Sequence, residues 1–141
     1  MKTITRITIG ILLALLLTTA LPACSSKPEP EYAGAIAEGI LQALSENDYA
    51  KHSEHFDEMM KNSVPESVFE QTATAIKEKI GDYVSKTFWK VTEQDIYTVV
   101  IYKARFTQEP EDVIVRVIFQ EISGEIYVSG LWFDSPKLRG K

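Results

Sequence analysis

The fold is decided by residues 96–121, IYTVVIYKARFTQEPEDVIVRVIFQE, where two runs rich in β-branched and aromatic residues flank a short polar joint. Both runs predict strands, since such residues suit a pleated, buried surface. The joint contains Pro110, which suits a turn but not a central strand. A joint this short can only connect antiparallel neighbours, so the stretch predicts a hairpin.

The same period of two extends on both sides of this hairpin. Short polar joints at residues 93–95 and 123–124 separate the runs, and strands connected so tightly pair with their neighbours in sequence. The sequence therefore predicts a four-stranded antiparallel meander. Its strands are Tyr83–Val91, Ile96–Phe106, Val113–Glu121 and Glu125–Asp134.

Upstream of Gly81 the apolar residues recur about every four positions, which predicts amphipathic helices. Ser63-Val64-Pro65-Glu66 has the spacing of a capping box. The predicted helices run from Glu31 to Leu44, from Tyr49 to about Met60, and from that box to Gly81. The predicted class is α+β, with two to three N-terminal helices packed on a curved four-stranded antiparallel meander, a cystatin-like cone.

The amino terminus has the pattern of an export signal. Residues 1–6 carry Lys2 and Arg6, and about eleven mostly apolar residues follow them, fewer than the roughly 20 that span a bilayer. Leu21-Pro22-Ala23-Cys24 then resembles a lipobox, and the chain's one cysteine stands where lipidation requires it. The alternatives are a plain secretory signal with an incidental cysteine, or an uncleaved anchor.

These patterns divide the chain into four parts. We expect a signal peptide at 1–23, a lipidated Cys24 with a tether at 24–31, the cone domain at 32–135, and a tail at 136–141. The expected location is outside the cytoplasm, held on the cell membrane or the outer membrane by the lipid on Cys24. The sequence does not distinguish these two membranes.

Charge and motifs exclude several classes of function. Removing residues 1–23 takes away two positive charges and no acid, so the net charge falls from -5 to -7. Such an acidic body is unsuited to nucleic acid. One cysteine allows neither an intramolecular disulfide nor a multi-cysteine metal cluster. Phosphate loops, dinucleotide fingerprints and nucleophile elbows do not occur, and we predict no cofactor.

The order of elements resembles the nuclear-transport-factor-like cone, also called SnoaL-like or ketosteroid-isomerase-like. Short motifs also resemble a family of small envelope domains of unknown function, which occur as lipoproteins and fused to hydrolases. The motifs are Asn47-Asp48-Tyr49, Phe56-Asp57 with Met60-Lys61, and Gly130-Leu131-Trp132-Phe133. This resemblance implies a fold and a compartment but no catalytic residues.

Four residues on the predicted strands are candidates for binding a small ligand. Arg116 interrupts an apolar row and could hold an anionic group if its side lines the cavity, or cover its neighbours if it faces out. Tyr97, Tyr102 and Trp132 could wall a pocket, although aromatic residues on strands are more often core. The catalytic residues remain unknown.

His52 and His55 lie three residues apart in the predicted second helix. Two imidazoles with a nearby carboxylate could bind a divalent metal, but a solvated helix face explains the pair without one. We therefore predict no metal site and keep these histidines only as candidates.

Both faces of the predicted sheet are apolar, and three modest helices can cover only one of them. We therefore expect the other face to pair with a second copy or another envelope protein. The leading hypothesis is a lipid-anchored domain that binds a small molecule or a protein without chemistry. The alternatives are an isomerase-, cyclase- or hydrolase-type enzyme that uses the cone cavity, and an accessory structural lipoprotein.

Overall fold

The computed structural model describes residues 26–140. The helices are α1 Glu31–Glu46, α2 Tyr49–Ser53, α3 Glu58–Ser63 and α4 Glu66–Ile80. The strands are β1 Tyr83–Gln94, β2 Tyr97–Phe106, β3 Glu109–Ile122 and β4 Glu125–Asp134. Among these residues, no helix has the length and apolar character to cross a membrane.

The four strands form one sheet in the order β1-β2-β3-β4, and each neighbouring pair is antiparallel. This is the predicted meander, and the α+β cone class is confirmed. Register shifts interrupt all three pairings, and such bulges bend and twist a strand. Pro110 lies inside β3, but at the end where the β2–β3 register is shifted.

Helix α1 forms as the four-residue period predicts. Its apolar stripe is buried, including Ile36, Ile40 and Leu44. Asn47 ends the helix in the left-handed conformation, at φ 54°, a C-terminal position where asparagine is tolerated.

The predicted second helix is split, which corrects that prediction. Helix α2 ends at Ser53, and Asp57 starts α3 by accepting a hydrogen bond from the Met60 amide at 2.7 Å. Between them the backbone pairs with β4: the Val128 amide donates to the His55 carbonyl at 2.7 Å. The break between α2 and α3 therefore lets residues 55–57 form backbone hydrogen bonds with β4.

The capping box predicted at residues 63–66 is wrong. Ser63 Oγ donates to the Met59 carbonyl at 2.8 Å, and Pro65 occupies the position before α4 without a side-chain cap. The apolar face of α4 is nevertheless as predicted. It buries Phe69, Ala73, Ile76 and Ile80.

The two faces of the sheet have different coverings. On the inner face the helices cover fully buried side chains such as Val100, Tyr102, Val115 and Val117. The opposite side is the outer face, which none of the helices covers. It is defined here by the side chains of Trp89, Lys90, Thr92, Val99, Ile101, Lys103, Arg105, Ile114, Arg116, Ile118 and Trp132.

Residues 136–140, predicted as a tail, lie against the domain. The Lys137 amide donates to the Glu109 carboxylate at 3.1 Å, and Leu138 packs on the core. Glu109 is only 3% exposed. Burial alone would raise the pKa of Glu109, but hydrogen bonds from Ser135 and two backbone amides, with the Lys137 charge, hold this pKa below its usual value.

Candidate functional site

The structure divides the four predicted ligand-binding residues between separate places. Tyr102 is fully buried on the inner face, whereas Arg116 and Trp132 are exposed neighbours on the outer face. Tyr97 lies at the β1–β2 turn, 37% exposed. The four therefore do not converge on one pocket. Arg116 faces out, which is the second of the two alternatives given by the sequence.

Tyr102 is a core residue with a polar tip. Its hydroxyl donates to Glu29 Oε1 at 2.7 Å, so a residue predicted as part of the tether contacts the sheet. Gly34 leaves room for this carboxylate, because a Cβ there would lie 3.0 Å from Oε1. Burial first, and then the Glu29 hydrogen bond, raise the pKa of the Tyr102 hydroxyl, which keeps it a neutral donor.

A row of side chains crosses the outer face from edge to edge. Its members are paired in register, one from each strand: Lys90, Ile101, Arg116 and Trp132. Cα partners in antiparallel strands project on the same side. The row therefore alternates cations with apolar groups across the sheet.

Above this row the outer face has a groove of about 380 Å³. Its floor is Val99, Ile101 and Ile118, and Lys90 and Arg116 lie at its rim. Val99 and Ile101 are only 6% and 5% exposed. The aliphatic floor is thus already covered by neighbouring side chains, and the outer face exposes less aliphatic surface than the sequence predicts.

The apolar surface that does remain on this face comes from tryptophans. Trp132 is 59% exposed and Trp89 is 46% exposed. Lys90 Nζ and Lys103 Nζ lie 4.8 and 4.9 Å from the centre of the Trp89 ring, within range of a cation–π contact. The outer face is therefore aromatic and cationic.

A larger groove of about 570 Å³ lies at the lower end of the outer face. Four of its charged groups are paired with each other, Arg105 with Asp112 at 3.4 Å and Arg139 with Asp134 at 2.6 Å. A ligand would have to compete with these ion pairs.

A cavity of about 180 Å³ lies between the helices and β4. His52, Phe56 and Thr72 line it together with six apolar side chains: Leu44, Met60, Val64, Val68, Leu131 and Phe133. The sequence did not predict this lining, because it comes from several separate elements. Its one ionisable residue, His52, lies in a polar stretch of sequence that indicates a solvated surface.

His52 is buried, 3% exposed, which corrects the interpretation of a solvated helix face. Its ring lies 4.6 Å from that of Phe69 and 5.2 Å from that of Phe56. His55 follows the end of α2, so the two histidines do not share a helix face. Across residues 26–140, no three histidine, cysteine or carboxylate side chains are placed to hold a metal ion.

The cavity assembles no acid–base pair from the residues described. Its lining contains His52 and no carboxylate. Asp57, the nearby acid, accepts hydrogen bonds from the Met60 amide and from Ser129 Oγ at 2.6 Å. Its role is therefore to cap α3 and hold β4. Cys24, the predicted lipidation site, lies outside the described residues.

Comparison with known proteins gives a family match and a shared fold. The family model described as a protein of unknown function, DUF3887, matches residues 37–124. None of the curated proteins matches the chain.

Three solved structures are similar to part of this chain. A SEC-C motif-containing protein from Rhodopseudomonas palustris is 19% identical with a TM-score of 0.53, covering 70% of this chain and 75% of its own. A DUF4783 family protein from Bacteroides uniformis is 13% identical, with a TM-score of 0.46 and coverage of 70% and 94%. An NTF2-like protein of unknown function from Cytophaga hutchinsonii is 14% identical, with a TM-score of 0.38 and coverage of 75% and 92%. At 19% identity, the likeness to the first of these concerns the fold alone.

Proposed function

The chain belongs to the DUF3887 family of proteins of unknown function, and we propose that it is an exported, lipid-anchored domain that acts by binding rather than by catalysis. The anchor proposal rests on the sequence, where the one cysteine follows a basic start and an apolar run. Several acyl chains on Cys24 would hold the protein durably on a membrane.

The anchor is tested by Cys24→Ser in the full-length chain expressed in its own host. We expect the variant to leave the detergent-rich phase in a phase-partition assay, or to accumulate unprocessed. Ser25→Ala is the matched control and should partition like the wild type. Normal processing and unchanged partitioning of the Cys24→Ser protein would refute lipidation.

We propose that the binding surface is the outer face and that its partner is a second copy of this chain. The observation that carries this proposal is the row Lys90, Ile101, Arg116, Trp132, with its exposed tryptophan at one edge. Aromatic residues and arginine are enriched at protein–protein interfaces relative to the rest of the surface.

The row is complementary to itself. A two-fold axis along the strands, between β2 and β3, would place each residue against the one paired with the opposite strand. Lys90 of one copy would then face Trp132 of the other, as a cation–π pair does. Ile101 would face the aliphatic stem of Arg116, and Arg105 would face Asp112. No like charges meet along the row.

The area of the outer face is close to the area that a stable interface buries. Four strands about 4.8 Å apart and about ten residues long, at roughly 3.3 Å each, give a face of about 600 Å² in projection. Stable interfaces bury roughly 800 Å² per partner. A rough face of this size, with two tryptophans standing out from it, approaches that value.

Light scattering coupled to size-exclusion chromatography tests the pairing, with the fragment from Ser25 to Lys141 at micromolar concentration. We expect a dimer for the wild type and a monomer for Trp132→Glu. Met59→Glu is the control, since Met59 is 74% exposed on α3, away from the outer face. A wild-type monomer across the concentration range would end the pairing proposal.

A further inference from the structure

We infer that the cavity between the helices and β4 is a binding site for a small neutral molecule that is apolar apart from a single hydrogen-bond donor. A phenol or a short-chain alcohol has this chemistry. The site is separate from the outer face, so it stands or falls independently of the pairing proposed above.

The size and the walls of the cavity define the apolar part of the ligand. About 180 Å³ is close to the roughly 150 Å³ apolar cavity that accepts benzene in a well-studied engineered protein. The lining includes aliphatic and aromatic side chains from α1, α4 and β4, such as Leu44, Val68 and Phe133. An apolar space of one aromatic ring is therefore available.

The need for a hydrogen-bond donor on the ligand comes from His52, the one ionisable residue in the lining. Its Nδ1 lies 3.2 Å from the Ile40 carbonyl oxygen. A carbonyl can only accept, so Nδ1 carries the hydrogen, and in the neutral ring Nε2 is left as an acceptor. Burial lowers the pKa of His52, although the Ile40 hydrogen bond opposes this, so the ring is neutral at physiological pH.

The other polar group of the lining is the hydroxyl of Thr72, which is exposed to solvent and donates its hydrogen to the Val68 carbonyl at 2.8 Å. Nε2 of His52 makes no hydrogen bond with a residue that the structure describes. Nε2 is therefore the acceptor that a ligand donor meets beside the buried Phe56, and no lining side chain offers a charge to an ionic ligand.

The cavity is reachable from solvent. Val68 in its wall is 40% exposed and Thr72 is also exposed, so a small molecule can enter it without unfolding of the helices. The rings of Phe56 and Phe69 hold His52 in place beside the cavity. A small ligand would fill the void and use the acceptor together.

Nuclear magnetic resonance titration of the full-length protein in detergent tests the site with phenol and benzene, which have nearly the same shape. We expect phenol to shift the His52 ring resonances and to bind about tenfold more tightly than benzene, the value of one hydrogen bond near 1.4 kcal/mol. Equal affinities would overturn the role of His52, and no binding of either compound at millimolar concentration would overturn the site.

Two variants separate the acceptor from the cavity. His52→Phe should bring phenol down to the affinity of benzene while benzene binding persists. Val68→Trp, at a position 40% exposed on the cavity wall, should exclude both compounds and keeps the test valid if His52→Phe does not fold. Val84→Thr is the control, because Val84 is 60% exposed on β1 and does not line the cavity, so both affinities should stay unchanged.

Discussion

Val99 and Val100 are neighbours in one strand, yet they are buried by different means. Val100 points to the inner face and is covered by the helices, whereas Val99 points to the outer face and is covered by neighbouring side chains at 6% exposure. The inner face is closed by packed helices. The outer face has no such layer; the long side chains of Lys90 and Arg116 line the groove beside Val99 and can move aside when a partner arrives.

We expect the largest difference in the cost of a substitution, measured as free energy of unfolding, between an aromatic residue of the inner core and one on the outer face. Phe69, 1% exposed, packs in the inner core against the rings of His52 and Tyr49. We expect Phe69→Ala to lower the free energy of unfolding by about 3 to 5 kcal/mol. Trp132→Ala should cost the monomer about 0.5 kcal/mol or less, as surface substitutions do. Urea unfolding at a dilution that keeps the protein monomeric measures both.

A large loss for Trp132→Ala in the monomer would contradict the contrast. It would mean that the outer face is part of the core rather than a surface held ready for a partner. Val84→Ala, at another exposed position on β1, is the control for a neutral strand substitution.

A matched pair sharpens the same contrast at smaller scale. Val100→Ala removes two methylene equivalents, about 1.6 kcal/mol at roughly 0.8 kcal/mol each, plus a cavity term. Val99→Ala should cost less, because flexible neighbouring side chains can collapse into the space. Urea unfolding gives both values, and equal losses would show that the outer covering is as rigid as the helices.

The smallest expected change in stability is at Glu109, the first residue of β3. We expect Glu109→Gln to cost about 1 kcal/mol at neutral pH, because the amide keeps only part of the hydrogen bonding to the Lys137 and Glu111 amides. Because the folded pKa of Glu109 lies below the unfolded value, its stabilisation is present above about pH 4.3 and is lost as the pH falls through the folded pKa.

Thermal unfolding of the wild type and Glu109→Gln between pH 7 and pH 3 measures this effect. The difference between them should shrink on acidification, as Glu109 becomes protonated beside Lys137 and Glu111. A difference that stays constant with pH would show that the negative charge contributes nothing.

The fold was largely predictable because its signals are local. The change from a period of about four to a period of two at Gly81 separates helices from strands without reference to distant residues. The split between α2 and α3 was not predictable in this way. It depends on pairing with Val128, more than 70 residues downstream. The capping box was wrong for a different and local reason, since the Ser63 hydroxyl donates back to the Met59 carbonyl.

The candidate sites were less predictable, for a related reason. Alternation groups Ile114, Arg116 and Ile118 on one side of β3, but both faces are apolar, so the pattern cannot tell which one the helices cover. His52 lies in a polar stretch, and its burial depends on Phe69 from another helix. Burial between separate elements leaves no periodic signal in either segment.

The hydrogen bond between Tyr102 and Glu29 fixes the chain to the sheet a short distance after the predicted anchor. Only four residues lie between Cys24 and Glu29, whose carboxylate is bonded to the sheet, so the path between them is at most about 18 Å when fully extended. With Cys24 in the lipid, this short path would keep the domain close to the bilayer surface. Two copies would then meet by diffusing within one membrane plane, where confinement raises their encounter rate.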